Sequence, residues 1–236
     1  MEKIITYETL RNFAYSNDRL IEGKINGIVL NFYGLGDMTI HNGDPGDALE
    51  YAKQGILYVI PYSDPWSWMN RRTVAYADEI ISVLCEKYNL DSSVKIVSSG
   101  GSMGGLSALV YCVYAKITPC ACVVNCPVCD LPFHFSERFD LPRTLYSAFG
   151  EYEGSFSDTL QSCSPLHLVD KMPNIPYTVF HCTGDELVRF EKHSAEFVKA
   201  MEKSHTIRFY VVPMRGHCDL SADARVEYQR AIEAAF

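Results

Sequence analysis

The chain has 236 residues, 47% of them hydrophobic, 21% charged and 12% aromatic, a balance that excludes disordered, collagen-like and coiled-coil architectures. Twenty-one Lys and Arg against 29 Asp and Glu leave a net charge of −8 at neutral pH. That charge argues against nucleic acid or an anionic membrane as a partner and suits a neutral or weakly cationic small molecule.

The first residues offer only Ile4 and Ile5 as consecutive aliphatics, which is too little for the apolar core of a signal peptide. A cytoplasmic protein is the expectation. The stretch from Ile96 to Ala115 carries no charge, but it opens with Ser-Ser-Gly-Gly-Ser and is too polar to lie in hydrocarbon. Nine cysteines are an odd number without regular spacing, and read as free thiols.

In chain order, the N-terminal thirty residues read as one or two antiparallel edge strands. Apolar runs follow at Gly27–Phe32, Gly55–Tyr62, Val94–Ser98, Cys120–Asn125, Tyr177–His181 and Ile207–Val212. Their near-continuous apolar character suits parallel strands covered on both faces. Val74, Ala77, Ile81, Leu84 and Tyr88 recur at helical spacing, as do Phe190, Ser194, Phe197 and Met201. The alternation is that of an α/β sandwich, expected to form one domain over 1–236. Residues 127–165 interrupt it with many aromatic residues and no clear strand. This insertion is either a lid over a site or an extra packing layer, and a lid is the expectation.

Ser102 stands in Gly100-Gly101-Ser102-Met103-Gly104, a G-x-S-x-G that directly follows the Val94–Ser98 strand and precedes the helix-like run Leu106–Ala115. On a sharp strand-to-helix turn a serine points its hydroxyl away from the sheet, and flanking glycines remove side chains that would collide. The helix start supplies free N–H groups and a positive dipole end for an oxyanion. A Walker loop fails because Leu106 stands where its lysine belongs, and no G-x-G-x-x-G aligns across Gly100–Gly105.

A serine needs a base to take its proton, and the base needs an acid to orient it. Asp185 follows the Tyr177–His181 strand and His217 follows the Ile207–Val212 strand. His181 lies inside a strand, where a satisfied core histidine is expected, and Glu186 and Asp219 are fallback acids. Backbone donors for the oxyanion are expected from Met103, after the nucleophile, and from Leu35 in Tyr33-Gly34-Leu35-Gly36, the loop after Gly27–Phe32.

These residues resemble the α/β-hydrolase superfamily, and within it the prolyl-oligopeptidase-like hydrolases and their single-domain esterase relatives. The similarity runs from the Tyr33-Gly34-Leu35-Gly36 loop through Gly-Gly-Ser102-Met-Gly-Gly and Ser164-Pro165-Leu166 to His181-Cys182-Thr183-Gly184-Asp185-Glu186-Leu187-Val188 and Gly216-His217. It implies a mostly parallel sheet flanked by helices, and the chain order nucleophile, acid, base, which Ser102, Asp185 and His217 follow. Tyr33 replaces the histidine that such families often carry in the oxyanion loop. Only about thirty residues precede the expected core, so no propeller of the oligopeptidase kind is expected, which favours an esterase.

Tyr33, Trp66, Trp68, Phe133, Phe135, Phe139 and Tyr146 are candidates to line the substrate pocket, with loop anchoring the alternative for the tryptophans. Cys120, Cys122 and Cys126 alternate with Val124 on one expected strand face and read as apolar packing rather than as metal ligands. The expectation is therefore a serine hydrolase acting on a small carboxylic ester, with no metal and no organic cofactor. A peptidase or aminopeptidase with the same triad, or a catalytically silent binding module, are the alternatives. The sequence carries no sign of an oligomeric state.

Overall fold

The structure, a computed structural model, describes residues 4–236. Seven strands form one sheet: β1 (Ala14–Ser16), β2 (Gly27–Phe32), β3 (Ile56–Pro61), β4 (Ile96–Gly101), β5 (Ala121–Asn125), β6 (Tyr177–Cys182) and β7 (Ile207–Val212). Their order is β1-β3-β2-β4-β5-β6-β7. Every pairing is parallel except that of β1 with β3, so the N-terminal segment supplies one antiparallel edge strand.

Alternation along each strand feeds two cores. Ile28, Leu30 and Phe32 of β2, Leu57 and Val59 of β3 and Cys122 and Val124 of β5 enter one cluster with helices α2 (Arg71–Tyr88), α3 (Met103–Tyr114) and α7 (Ser194–Met201). Val29, Tyr58, Val97 and Val123 point the other way, toward α1 (Gly46–Lys53) and α8 (Ala222–Glu233). This two-sided cover explains the continuous apolar runs. The cysteine alternation fails at both strand ends, since Cys120 packs against the cluster opposite that of Cys122. Cys126 has a φ of 45°, which swings its side chain into the cluster opposite that of Cys122.

Residues 127–165 form three helices, α4 (Leu131–Glu137), α5 (Leu141–Phe149) and α6 (Phe156–Ser162). Their buried Leu131, Leu141, Leu145, Phe149 and Leu160 join the cluster under α2 and α3. Phe190 precedes α7 rather than belonging to it, and stacks on Phe209 of β7 with ring centroids 5.6 Å apart. Among the described residues, no helix is long and apolar enough to cross a membrane.

The strand order places β3 on one side of β2 and β4 on the other. At such a switch point the connections leave in opposite directions and open a crevice beyond the carboxyl ends of the two central strands. The loops after β2 and β4 carry the Leu35 and Ser102 segments into it.

Beside this centre the antiparallel edge depends on one side chain. Asn17 is fully buried; its Nδ2 donates to Ala48 O at 2.8 Å and Ile56 O at 3.1 Å, and its Oδ1 accepts Tyr58 N–H at 2.7 Å. Alanine would leave the buried Tyr58 N–H without its acceptor and remove the donor to Ala48 O and Ile56 O. Asn17→Ala is expected to lower folding stability by about 3 kcal/mol, read as a shifted urea midpoint. A loss below about 1 kcal/mol would show that these bonds are replaceable.

Candidate active site

The turn between β4 and α3 is closed by steric necessity. A Cβ on Gly100 would lie 2.5 Å from Gly104 O, and one on Gly104 would overlap Phe32 O, with Tyr33 O 2.8 Å away. Only hydrogen fits at either position, so α3 starts directly against the end of β2. Ser102, between them, has a φ of 59°, a strained value for a residue with a Cβ. Its backbone is fixed from three sides: Ser102 N donates to Asn125 O at 3.0 Å, while Ser102 O accepts from Leu106 N at 3.1 Å and Val128 N at 3.3 Å.

The Leu35 loop passes next to this turn, since a Cβ on Gly34 would lie 3.9 Å from Ser102 Cβ. Among the described residues, neither Met103 N nor Leu35 N donates to a protein acceptor. Both amides are therefore free to serve an oxyanion. Tyr33 lines the same cavity and donates its hydroxyl to Thr39 O at 2.9 Å, which pins the loop.

Asp185 and His217 meet across two loops that are themselves tied together by Gly184 N to Arg215 O and Met214 N to Thr183 Oγ1, both 2.9 Å. His217 Nδ1 lies 2.6 Å from Asp185 Oδ2. The other carboxylate oxygen accepts Leu187 N–H and Val188 N–H, each at 2.9 Å. Burial alone would raise the Asp185 carboxyl, but hydrogen bonds from His181, His217 and Val188 N–H outweigh it and hold the group well below the usual carboxylate range. An ionised Asp185 accepts the Nδ1 proton of His217, leaving the Nε2 lone pair available. The fallback Asp219 instead pairs with Arg215 at 2.9 Å.

Ser102, His217, Leu35 and Tyr33 line one cavity of about 630 Å³, together with Phe32, Ile60, Trp68, Leu187 and Val188. Among the described residues, no hydrogen bond joins Ser102 Oγ to His217. Such contacts are often long before substrate binds. A second cavity of about 580 Å³, between α2 and α6, contains none of the three candidate residues.

The aromatic candidates divide. Trp68 lines the cavity and is fully buried, its Nε1 donating to Thr144 Oγ1 at 3.0 Å, so it is both wall and anchor. Trp66 points away, under the Arg143 guanidinium. Phe133, Phe135, Phe139 and Tyr146 do not line the cavity. Phe135 packs edge-on against Phe156, Tyr146 meets the same ring but is largely exposed, Phe133 meets His193, and Phe139 is fully exposed. Helical periodicity, which that segment's aromatic richness masks, turns these rings sideways and presents His134 and Arg138 to the cavity instead.

One buried group, Glu137, escaped the sequence reading, and His181, expected as a satisfied core histidine, also reaches Asp185. His181 donates from Nε2 toward Val188 O at 3.0 Å and sits 3.4 Å from Asp185 Oδ2, with Ser194 Oγ 2.6 Å from its Nδ1. Its place four residues before the acid was the available signal. Glu137 is held between His134 Nδ1 at 2.7 Å and His193 Nε2 at 3.0 Å. Cys129 N and Asp130 N both donate to His193 Nδ1, which puts the ring proton on Nε2, facing Glu137.

A strand–turn–helix serine facing a carboxylate-held histidine at the switch point of a mostly parallel sheet defines an α/β-hydrolase. The prolyl oligopeptidase family model matches residues 73–236, and the chain belongs to that family. Among solved structures it resembles a Mycobacterium tuberculosis puromycin-hydrolyzing peptidase (TM-score 0.71, 18% identity, 90% of this chain and 33% of that one). It also resembles the Pyrococcus horikoshii acylaminoacyl peptidase (0.66, 14%, 89% and 36%) and Thermogutta terrifontis esterase 2 (0.63, 20%, 94% and 86%). The chain thus spans about a third of the length of these peptidases and most of the length of the esterase. No curated protein matches its sequence significantly.

The buried carboxylates set an acid limit on stability. Burial opposes ionisation of Glu137, but its two histidine donors bring it down to about 2 from an ordinary 4.5. Between those pH values the unfolded chain binds more protons than the folded one, so stability is present above them and lost as pH falls. Asp185 acts with the same sign. Glu137→Gln is expected to flatten the fall of the thermal midpoint between pH 4.5 and 2; an unchanged slope would show that Glu137 is not ionised in the folded protein.

Proposed function

We propose that the protein is a serine hydrolase that cleaves a small carboxylic ester through an acyl-enzyme. The observation that carries this reading is the 2.6 Å contact of Asp185 with His217 beside the strained Ser102 turn, in one cavity. Ser102 Oγ attacks the carbonyl carbon while His217 Nε2 takes its proton, and Asp185 fixes the histidine tautomer and stabilises the imidazolium. The carbonyl oxygen becomes an oxyanion between the amides of Met103 and Leu35. As the tetrahedral intermediate collapses, the ester C–O bond breaks and His217 returns the proton to the departing alcohol. Water then enters by the same route, giving up a proton to His217, and releases the acid. The apolar wall of Phe32, Ile60, Trp68, Leu187 and Val188 suits an uncharged acyl or alcohol group.

One observation favours a second reading. Asp37 also lines the cavity, and its carboxylate could receive a substrate ammonium, as an aminopeptidase requires. Paired assays on short acyl esters and aminoacyl amides separate the two. Turnover confined to amides and lost in Asp37→Asn would replace the ester reading.

Ser102→Ala and His217→Ala are each expected to remove most turnover and, for Ser102→Ala, fluorophosphonate labelling, while leaving ~10³–10⁴-fold catalysis over water from oxyanion and substrate binding. Near-wild-type turnover in either variant would exclude this pair.

Alanine at Phe139 or Tyr146 is expected to leave the preference among ester chain lengths unchanged, whereas Trp68→Ala shifts it and lowers stability. A changed profile in Phe139→Ala would place that ring over bound substrate.

A further inference from the structure

Three clusters of ligating side chains bring their donor atoms within 4.8 Å of one another: His134 with Glu137 and His193, Cys126 with His181 and Asp185, and Cys126 with His217 and Cys218. Hydrogen bonding removes the first two as metal sites. His193 Nδ1 already accepts two backbone N–H groups, so its Nε2 carries a proton and has no lone pair to offer. Both nitrogens of His181 are engaged, by Ser194 Oγ and by Val188 O.

The third cluster keeps its lone pairs. His217 Nδ1 bonds to Asp185, which leaves Nε2 as acceptor, and Cys218 Sγ lies 3.8 Å from it. A tetrahedral zinc, with Zn–S about 2.3 Å and Zn–N about 2.0 Å, separates its sulfur and nitrogen ligands by about 3.5 Å and two sulfurs by about 3.8 Å. The Cys218–His217 pair therefore needs a contraction of about 0.3 Å, and Cys126 Sγ lies within 4.8 Å of both other donors. Cys126 Sγ is fully buried and accepts N–H bonds from Cys182 and Cys218 at 3.4 Å each; the Cys218 thiol beside it and its burial outweigh those donors and push the Cys126 thiol well up, so the metal itself must displace the thiol proton. Asp185 behind His217 completes the carboxylate–histidine–metal relay that orients a ligating imidazole.

We infer that Cys126, His217 and Cys218 form a site for a soft divalent cation such as Zn2+ or Cd2+, with the fourth position open to the cavity, and that its occupation closes the hydrolase. Binding releases two thiol protons and gives a neutral centre of one dication and two thiolates. The metal takes the Nε2 lone pair that would otherwise accept the proton of Ser102, so the site is inhibitory rather than catalytic. The inhibition rests on the proposed hydrolase reading; the metal site does not.

The test is equilibrium dialysis of the full, reduced chain against ZnCl2 or CdCl2, combined with fluorophosphonate labelling. The expected result is one equivalent of metal, a cadmium–thiolate charge-transfer band, and labelling suppressed by metal and restored by a chelator. Cys218→Ser should weaken binding by at least ~10-fold, and Cys120→Ser, outside the cluster, should retain it. If Cys218→Ser does not fold by circular dichroism, His217→Ala serves as the second deletion of a ligand. Failure of the wild type to bind, undiminished binding in a folded ligand variant, or bound metal that leaves labelling intact would each overturn the inference. Absence of labelling in the metal-free protein would instead count against the hydrolase reading, with dialysis still reporting the site.

Discussion

Where α3 begins, its backbone lies so close to the end of β2 that a single methyl group at Gly104 would overlap the Phe32 carbonyl. That close approach organises the rest of the site. It forces Ser102 into a left-handed conformation, brings the free amide of Met103 beside the Leu35 loop, and aims the positive end of α3 at the space between them. The strain persists because the surroundings over-determine it. Ser102 is bonded through its own N–H and carbonyl to Asn125, Leu106 and Val128, so relaxing φ would break contacts on both sides of the turn.

A second constraint is electrostatic. The site is enclosed by two buried carboxylates, each shared by two histidines: Asp185 by His181 and His217, Glu137 by His134 and His193. A carboxylate in such surroundings is costly without donors and stable with several. Asp185 collects two backbone N–H groups as well, which is why it stays ionised and can fix the tautomer of His217. His181 therefore bears on His217 indirectly, by holding the carboxylate that holds that ring.

Six of the seven strands were legible in the sequence, β2 to β6 because burial on both faces makes them continuous apolar runs, and the half-exposed edge strand β7 because Phe209-Tyr210-Val211-Val212 is apolar despite Arg208. The triad candidates were legible because Ser102, Asp185 and His217 each follow such a run. What was not legible depends on backbone direction. Cys126 departs from the face of Cys122 and Val124 through one positive φ, and Cys120, just before β5, also packs against the opposite cluster, so the alternation misplaces both. The aromatic candidates of segment 127–165, unlike Tyr33 and Trp68, miss the cavity for a similar reason: composition identifies Phe135 and Tyr146 as apolar, but which way a helix turns them is set by Leu131, Leu141 and Leu145, which claim the inward face. The His134–Glu137 pair at i,i+3 is visible in the sequence, but its partner His193 arrives from a distant segment.

The segment 127–165 is better understood as a fixed wall than as a moving lid. It is fastened to the elements beneath it by Trp68 Nε1 to Thr144, Asn70 Nδ2 to Ala148 O, Arg71 N to Tyr152 Oη and Tyr114 Oη to Ser162 O. Lifting it would also uncover Leu131, Leu141, Leu145, Phe149 and Leu160, at about 1.5–3 kcal/mol for each side chain exposed. Even partial exposure would cost on the order of 5–10 kcal/mol, comparable with the whole stability of a typical domain. Because α4 and the residue after it contribute His134 and Arg138 to the cavity, that rigidity fixes one wall of the site.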